Sequence, residues 1–290
     1  MNRKFLSLFV VIVVLFIFWV VYALYSTTEK SNTSLSGWFI GNQIWSGHIF
    51  VTGDVEILGR LTVLPGTKVT FSVGDDRQRG DEVPADGFND KDPTRLKSYS
   101  TTHSSLFVLR EFMAIGTQNQ PILFTSVAEQ PQVADWEAII FQGDGSIVDH
   151  TIVEYTRNGL NPIGKQPHSI IQNTISRHAF WGAISSAHSN IKIVNNILSD
   201  AGHEGIDLKF DGDQEITGNK IDDCHTGIAS ISGFQLIKNN TIKNCGDGVY
   251  ISPQSKAISV DNTFTSAPAE SRRVWRYGDY EIPIFGDPEI

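Results

Sequence analysis

Residues 195–210 read NNILSDAGHEGIDLKF. The stretch opens on paired asparagines, ends in an alternating run, and sets His203, Glu204 and Asp207 around one glycine, Gly205. Alone it resembles an acid/base cluster. An internal repeat would change that reading, so the first question is whether the pattern returns.

It does. Gly205 has counterparts at Gly159, Gly182, Gly227 and Gly248, with gaps of 23, 23, 22 and 21 residues. An Asn-x-apolar triplet recurs beside them, beginning at Asn173, Asn195, Asn219, Asn240 and Asn262. The residue after each glycine is apolar: Leu160, Ala183, Ile206, Ile228 and Val249. Three positions before each glycine the residue is small: Thr156, Ala179, Gly202, Cys224 and Cys245. Between these marks the apolar runs are too short for helices of ~10–12 residues. In GIDLKF the alternation puts Ile206, Leu208 and Phe210 on one strand face.

Short strands repeating at this period form coils that stack in register about 4.8 Å apart. Inward apolar ladders then make one continuous core. Asparagines at a fixed turn can bond to each other and to turn backbone, and they tolerate left-handed geometry there. Cys224 and Cys245 fall on one inward ladder and read as small buried hydrophobes; a disulfide is the alternative.

These repeats resemble the right-handed parallel β-helix proteins of the pectate-lyase-like superfamily. LTVLPGTKVTF (61–71) is similar to the first full coil of such domains, and AIGTQNQPILFTS (114–126) with DWEAIIF (135–141) to their second block. The resemblance implies an all-β, single-stranded right-handed parallel β-helix. It implies little about function, because the family's catalytic patterns are missing. Arg157 and Arg177 lack the calcium-binding aspartates that accompany a lyase's arginine base. The paired aspartates of IDDC (221–224) lack a hydrolase's Asn-Thr-Asp triplet.

The chain has 290 residues, a net charge of −9, and no basic cluster beyond RRVWR (272–276). Nucleic acid is therefore excluded as a partner, since phosphate binding needs grouped Lys and Arg. Residues 5–25 carry no charge, which is long enough to span a bilayer, and Arg3 and Lys4 precede them. Residues 1–25 thus read as a signal-anchor or transmembrane segment with a cytoplasmic N-terminus and a periplasmic or extracellular domain beyond. Cleavage after Ala23 would instead release a secreted protein. Residues 26–36 read as a polar linker, 37–267 as the solenoid and 268–290 as a tail capping its last coil, with a docking peptide as the alternative for the tail. Trp38 and Trp45 read as packing of the first coil's end. A polar interruption at 72–105 contains DGFNDKDP, where Asp86, Asn89, Asp90 and Asp92 could supply oxygen ligands to Ca²⁺; a solvated acidic loop is the competing reading.

Stacking the repeats by their glycines brings Trp181, His203, Glu204, Asp207, His225, Asp247 and Tyr250 to one side, with Arg157 a coil away. Trp181, Tyr250, Asp247 and Arg157 would hold a glycan, and His203 and His225 could move protons beside a carboxylate. Two function classes follow. One is a non-catalytic module binding a polysaccharide or a cell-envelope partner. The other is a polysaccharide lyase, hydrolase or epimerase using Glu204 and Asp207.

Overall fold

The computed structural model describes residues 33–73, 103–267 and the backbone of 270–271. The chain divides into two units, 1–33 and 34–290, and apart from Thr33 every described residue lies in the second. The apolar run 5–25, the calcium-motif residues 86–92 and the tail beyond 271 lie outside the described residues. Among the described residues no helix is long and apolar enough to cross a membrane.

The repeats form a coil with three walls. Face I is a nine-stranded sheet running from Gln43–Trp45 at one end to Ile258–Val260 at the other. A 15-stranded sheet supplies the other two walls. Face II includes Lys68–Phe71, Ile122–Ser126 and Thr151–Glu154, and face III includes Leu106–Val108, Ile139–Phe141 and Leu160–Pro162. Ile197–Lys209, Lys220–Ser230 and Thr241–Ile251 pass unbroken through both walls. Pairing between successive coils is parallel, so equivalent residues stack.

The stacked columns follow the sequence with one-residue corrections. Ile184, Ile206, Ile228 and Val249 lie opposite one another and are fully buried. The core position in the fifth coil is therefore Ile184, where the glycine spacing points to Ala183. Similarly, Ala179, Ala201, Cys224 and Cys245 share a column, so Ala201 stands where the spacing suggests Gly202. Ile206 and Leu208 are core residues. Phe210 has instead turned to φ 60° and stacks on His188 with centroids 4.6 Å apart.

The asparagine ladder is real but shifted in its first members. Asn196, Asn219, Asn240 and Asn262 stack, with Thr174 at the head of the column. Each Nδ2 of the first three donates to the next Oδ1 at 2.9–3.0 Å. The same amides donate to the carbonyls of Ile171, Ile193 and Ile216. Asn173 and Asn195 precede this column. They occupy the left-handed turn at φ 48° and 56°, a position filled in later coils by Gly218, Asn239 and Asp261. Asn, Asp and Gly are the residues that adopt this geometry at low cost.

Cys224 and Cys245 form a disulfide, with Cα atoms 4.7 Å apart. The reading of two separate buried thiols is thus corrected. Parallel in-register stacking places equal positions within the range a disulfide bridges. At the first coil, Trp45 is buried in the core as expected, but Trp38 is 71% exposed and does not pack against it. His103, Ser104 and Ser105, counted with the interruption from sequence, are buried, and Asp54 Oδ1 accepts from the Ser105 amide at 2.9 Å.

Candidate functional site

The site forms where face II turns into face III. Two residues separate Ala201 from Glu204, but one separates Cys224 from Thr226 on the next coil. The extra residue is a β-bulge, which re-aims the side chains beside it. Gly202 permits it, because a Cβ there would strike the Phe180 carbonyl. His203 is left buried at this corner.

Around His203 runs a column of planar side chains from consecutive coils. Its ring lies 4.2 Å from the Trp181 ring and 6.3 Å from the His225 ring, centroid to centroid. On the far side of Trp181, the Arg157 guanidinium sits 5.8 Å from the indole centroid. Arg157 Nη1 in turn donates to Glu137 Oε1 at 2.8 Å. The column Glu137–Arg157–Trp181–His203–His225 therefore climbs five coils. Trp181 stacks at the level of His203, not of Glu204, because of the one-residue shift beside Gly182.

The carboxylates fall into two columns. Glu204, Thr226 and Asp247 are register partners at the corner. Asp207 belongs to the outward column of face III, with Ser185, Ala229 and Tyr250. Glu204 Oε1 is 3.8 Å from His203 Nδ1, whereas Asp207 Oδ2 is 3.3 Å from Lys209 Nζ. Glu204 and Asp207 thus keep different company on one coil.

These side chains are not an exposed polar flank. Asp207 is 6% exposed and Tyr250 0%, although both point away from the core. His203, Glu204 and Asp247 are also buried, while Trp181, His225 and Arg157 are half-buried. Beside the column, Asn158 Oδ1, Asn161 Oδ1, Trp181 Nε1 and Ser185 Oγ are buried without a hydrogen-bond partner among the described residues.

Sequence reasoning missed Glu137 and Ser185. Ser185 was hidden by the shift at Gly182, and Glu137 lies upstream of the regular repeats. Nearby, burial raises the Asp135 carboxyl above the ordinary aspartate range, against hydrogen bonds from Ser126 and the Gln132 amide that lower it. Arg177 is also neutralised, with Nε 2.8 Å from Glu154 Oε2. Both arginines therefore face a glutamate. No group of three or more His, Cys, Asp or Glu able to hold a metal occurs among the described residues.

A parallel solenoid with three walls, an asparagine ladder and polar corners defines a class of β-helix. Residues 137–282, just over half of the chain, match the family described as "Right handed beta helix region". The chain belongs to the right-handed β-helix family. No curated protein matches it. Among solved structures, the Dettilon tailspike protein (gp208) is similar with a TM-score of 0.35 and 11% identity, over 82% of this chain and 61% of that one. The chain thus spans less than two thirds of that protein's length.

Proposed function

We propose that the chain is an exported, membrane-anchored β-helix that binds a polysaccharide at the corner column without turning it over. The Cys224–Cys245 disulfide supports export, because such bonds persist in oxidising compartments. It agrees with an apolar run at 5–25 that carries the N-terminus in the cytoplasm and the solenoid outside. A cell-envelope glycan is the partner this placement favours.

The observation that carries the reading is the stack Arg157–Trp181–His203–His225. Arg157, Trp181 and His225 are half-buried and leave part of the column open on three coils, with the buried His203 packed between them, which suits a ligand that itself repeats. An indole pairs an apolar face with a polar edge, and a sugar ring has apolar faces edged by hydroxyls. Hydroxyls both donate and accept. They match the polar groups of the half-buried Arg157 and His225, which flank the Trp181 indole. Binding sites of this kind combine aromatic surface with a few placed polar groups.

The test is an array of envelope and extracellular polysaccharides, probed with the full chain in detergent and with Trp181→Ala. The wild type binds a defined glycan, and the variant binds it about tenfold more weakly or less, with an unchanged circular dichroism spectrum. A chain that binds no glycan, or a variant that binds as well as wild type, refutes the reading.

One observation favours an enzyme instead. Glu204 and Asp247 share a column with Thr226 between them, two strand spacings or about 9.6 Å apart along the axis. That is close to the upper separation of ~6.5–9.5 Å used by inverting glycosidases. Turnover of the bound glycan, abolished in Glu204→Gln and Asp247→Asn, would establish this second reading. Turnover abolished by Glu204→Gln and Asp207→Asn, with Asp247→Asn active, would return the acid/base pair to Glu204 and Asp207.

A further inference from the structure

We propose that the first-coil end of the solenoid rests on the lipid bilayer, with Trp38, Ile40 and Ile44 seated in its interfacial region. The inference depends on the reading of residues 5–25 as an uncleaved anchor, and it adds a second, independent contact.

Three large apolar side chains within seven residues are left in water here: Trp38 is 71% exposed, Ile40 86% and Ile44 71%. Leu58 and Leu64 are partly exposed beside them. The Leu58 amide donates to the Phe39 carbonyl, and the Leu64 amide to the Trp45 carbonyl. The exposed side chains are therefore carried on adjoining backbone segments of the first two coils. Single exposed apolar residues need no explanation, but a grouped patch marks an interaction site.

The occupant follows from charge and chain length. From Ser31 to Gly53 there is no Asp, Glu, Lys or Arg, in a chain whose net charge is −9. An acidic protein is repelled by an anionic leaflet, and this stretch is where that repulsion is absent. The strand Thr33–Phe39 takes up the last four of the eleven linker residues, and the seven left between Tyr25 and Thr33 reach about 25 Å when extended. If residues 5–25 cross a bilayer, so short a tether keeps the start of the solenoid within reach of its surface. Tryptophan is the side chain most at home at a membrane–water boundary, with its ring among the acyl chains' ends and its N–H toward water. Against a protein partner, the charged side chain beside the patch, Arg60, is already paired with Glu111 at 3.2 Å.

The experiment uses the full chain reconstituted in liposomes. Single cysteines are introduced as Ile40→Cys, Ile44→Cys and, as reference, Lys192→Cys, and each is spin-labelled. The native cysteines are tied in their disulfide and do not compete for label. Lys192 shares the outward column of Ile44 but lies five strand spacings away, about 24 Å. Flotation first shows whether the chain is anchored. Collision with oxygen and with a water-soluble nickel chelate then reads depth. The proposal expects an oxygen-to-nickel ratio several-fold higher at 40 and 44 than at 192. It also expects Trp38→Glu combined with Ile44→Glu to bring the ratio at 40 down to that of 192 while flotation persists. Flotation with water-like ratios at 40 and 44 overturns the docking and leaves the anchor standing. A chain that does not float overturns both. Equal shielding at 192 overturns end-on contact, and strong spin–spin coupling between copies assigns the patch to a second molecule instead.

Discussion

Replacing Asn219 by alanine tests the asparagine ladder at its centre. The side chain is fully buried and makes four hydrogen bonds. Its Nδ2 donates to Ile193 O and to Asn240 Oδ1, and its Oδ1 accepts from Asn196 N and Asn196 Nδ2, all at 2.9–3.0 Å. Alanine removes all four and strands buried groups on both neighbouring coils. Each bond contributes about 1 kcal/mol net, and each stranded group costs ~1–3 kcal/mol, with some relief where water enters. The expected loss is about 3–5 kcal/mol. Asn195 provides the contrast. It is exposed at φ 56°, so alanine there costs only the ~1–2 kcal/mol of left-handed backbone, and glycine costs almost nothing. The assay is urea unfolding followed by circular dichroism, with hydrogen exchange at Ile193 and Asn196 as a local readout, since solenoids can unfold in parts. A loss within half a kcal/mol of wild type at Asn219, or equal losses at 219 and 195, refutes the division into ladder and turn.

Other outcomes follow from the same structure. Ile206→Ala and Ile221→Ala, both in the core, should each cost about 2–5 kcal/mol in urea unfolding, while exposed Asp213→Ala stays within about 0.5 kcal/mol. Reducing the Cys224–Cys245 bond, whose partners are 21 residues apart, should lower stability by about 3 kcal/mol, read as a drop in Tm with dithiothreitol. Two aspartates should respond to pH with opposite sign. Burial raises the Asp149 carboxyl, but hydrogen bonds from Asn173 and Gln172 and the neighbouring His150 outweigh it, leaving the carboxyl below its ordinary value of 3.8. Its contribution is therefore present above pH 3.8 and lost as pH falls further, so Asp149→Asn destabilises at pH 7 and converges with wild type in acid. Asp135, raised above 3.8 by burial, is penalised once ionised. Asp135→Asn should stabilise at pH 7, an advantage that vanishes as pH falls through the raised value toward 3.8. Unfolding measured from pH 3 to 7 checks both slopes.

The period near 22 was legible because it needs only short-range regularity. Glycine and asparagine recur wherever a coil turns, and isoleucine wherever it points inward. What the sequence hid was the local count. Gly182 is not the equivalent of Gly205, because Leu160 pairs with Ile184 at a spacing of 24. Only the hydrogen-bonded register reveals this, and it moves Trp181 from Glu204 to His203. The bulge at Gly202–His203 was hidden for the same reason, since an added residue in one coil leaves no mark in composition. The disulfide was open to either reading until the strands were in register. Burial of Asp207 and Tyr250 was not legible at all: alternation predicts which way a side chain points, not what lies over it. Glu137 stood outside the repeats and became visible only through its bond to Arg157.

The stacking register underlies the core, the ladder and the corner column alike, and one crosslinking measurement probes it directly. Ala187 and Lys209 are opposite one another on adjacent coils, about 4.8 Å apart and within bridging range. Ser185 lies opposite Asp207 and so two positions off from Lys209. Under mild oxidation, the pair Ala187→Cys with Lys209→Cys should close to a disulfide seen by non-reducing mass spectrometry, while Ser185→Cys with Lys209→Cys stays open. Closure of the second pair and not the first would contradict the register, and with it the placement of every residue in the site.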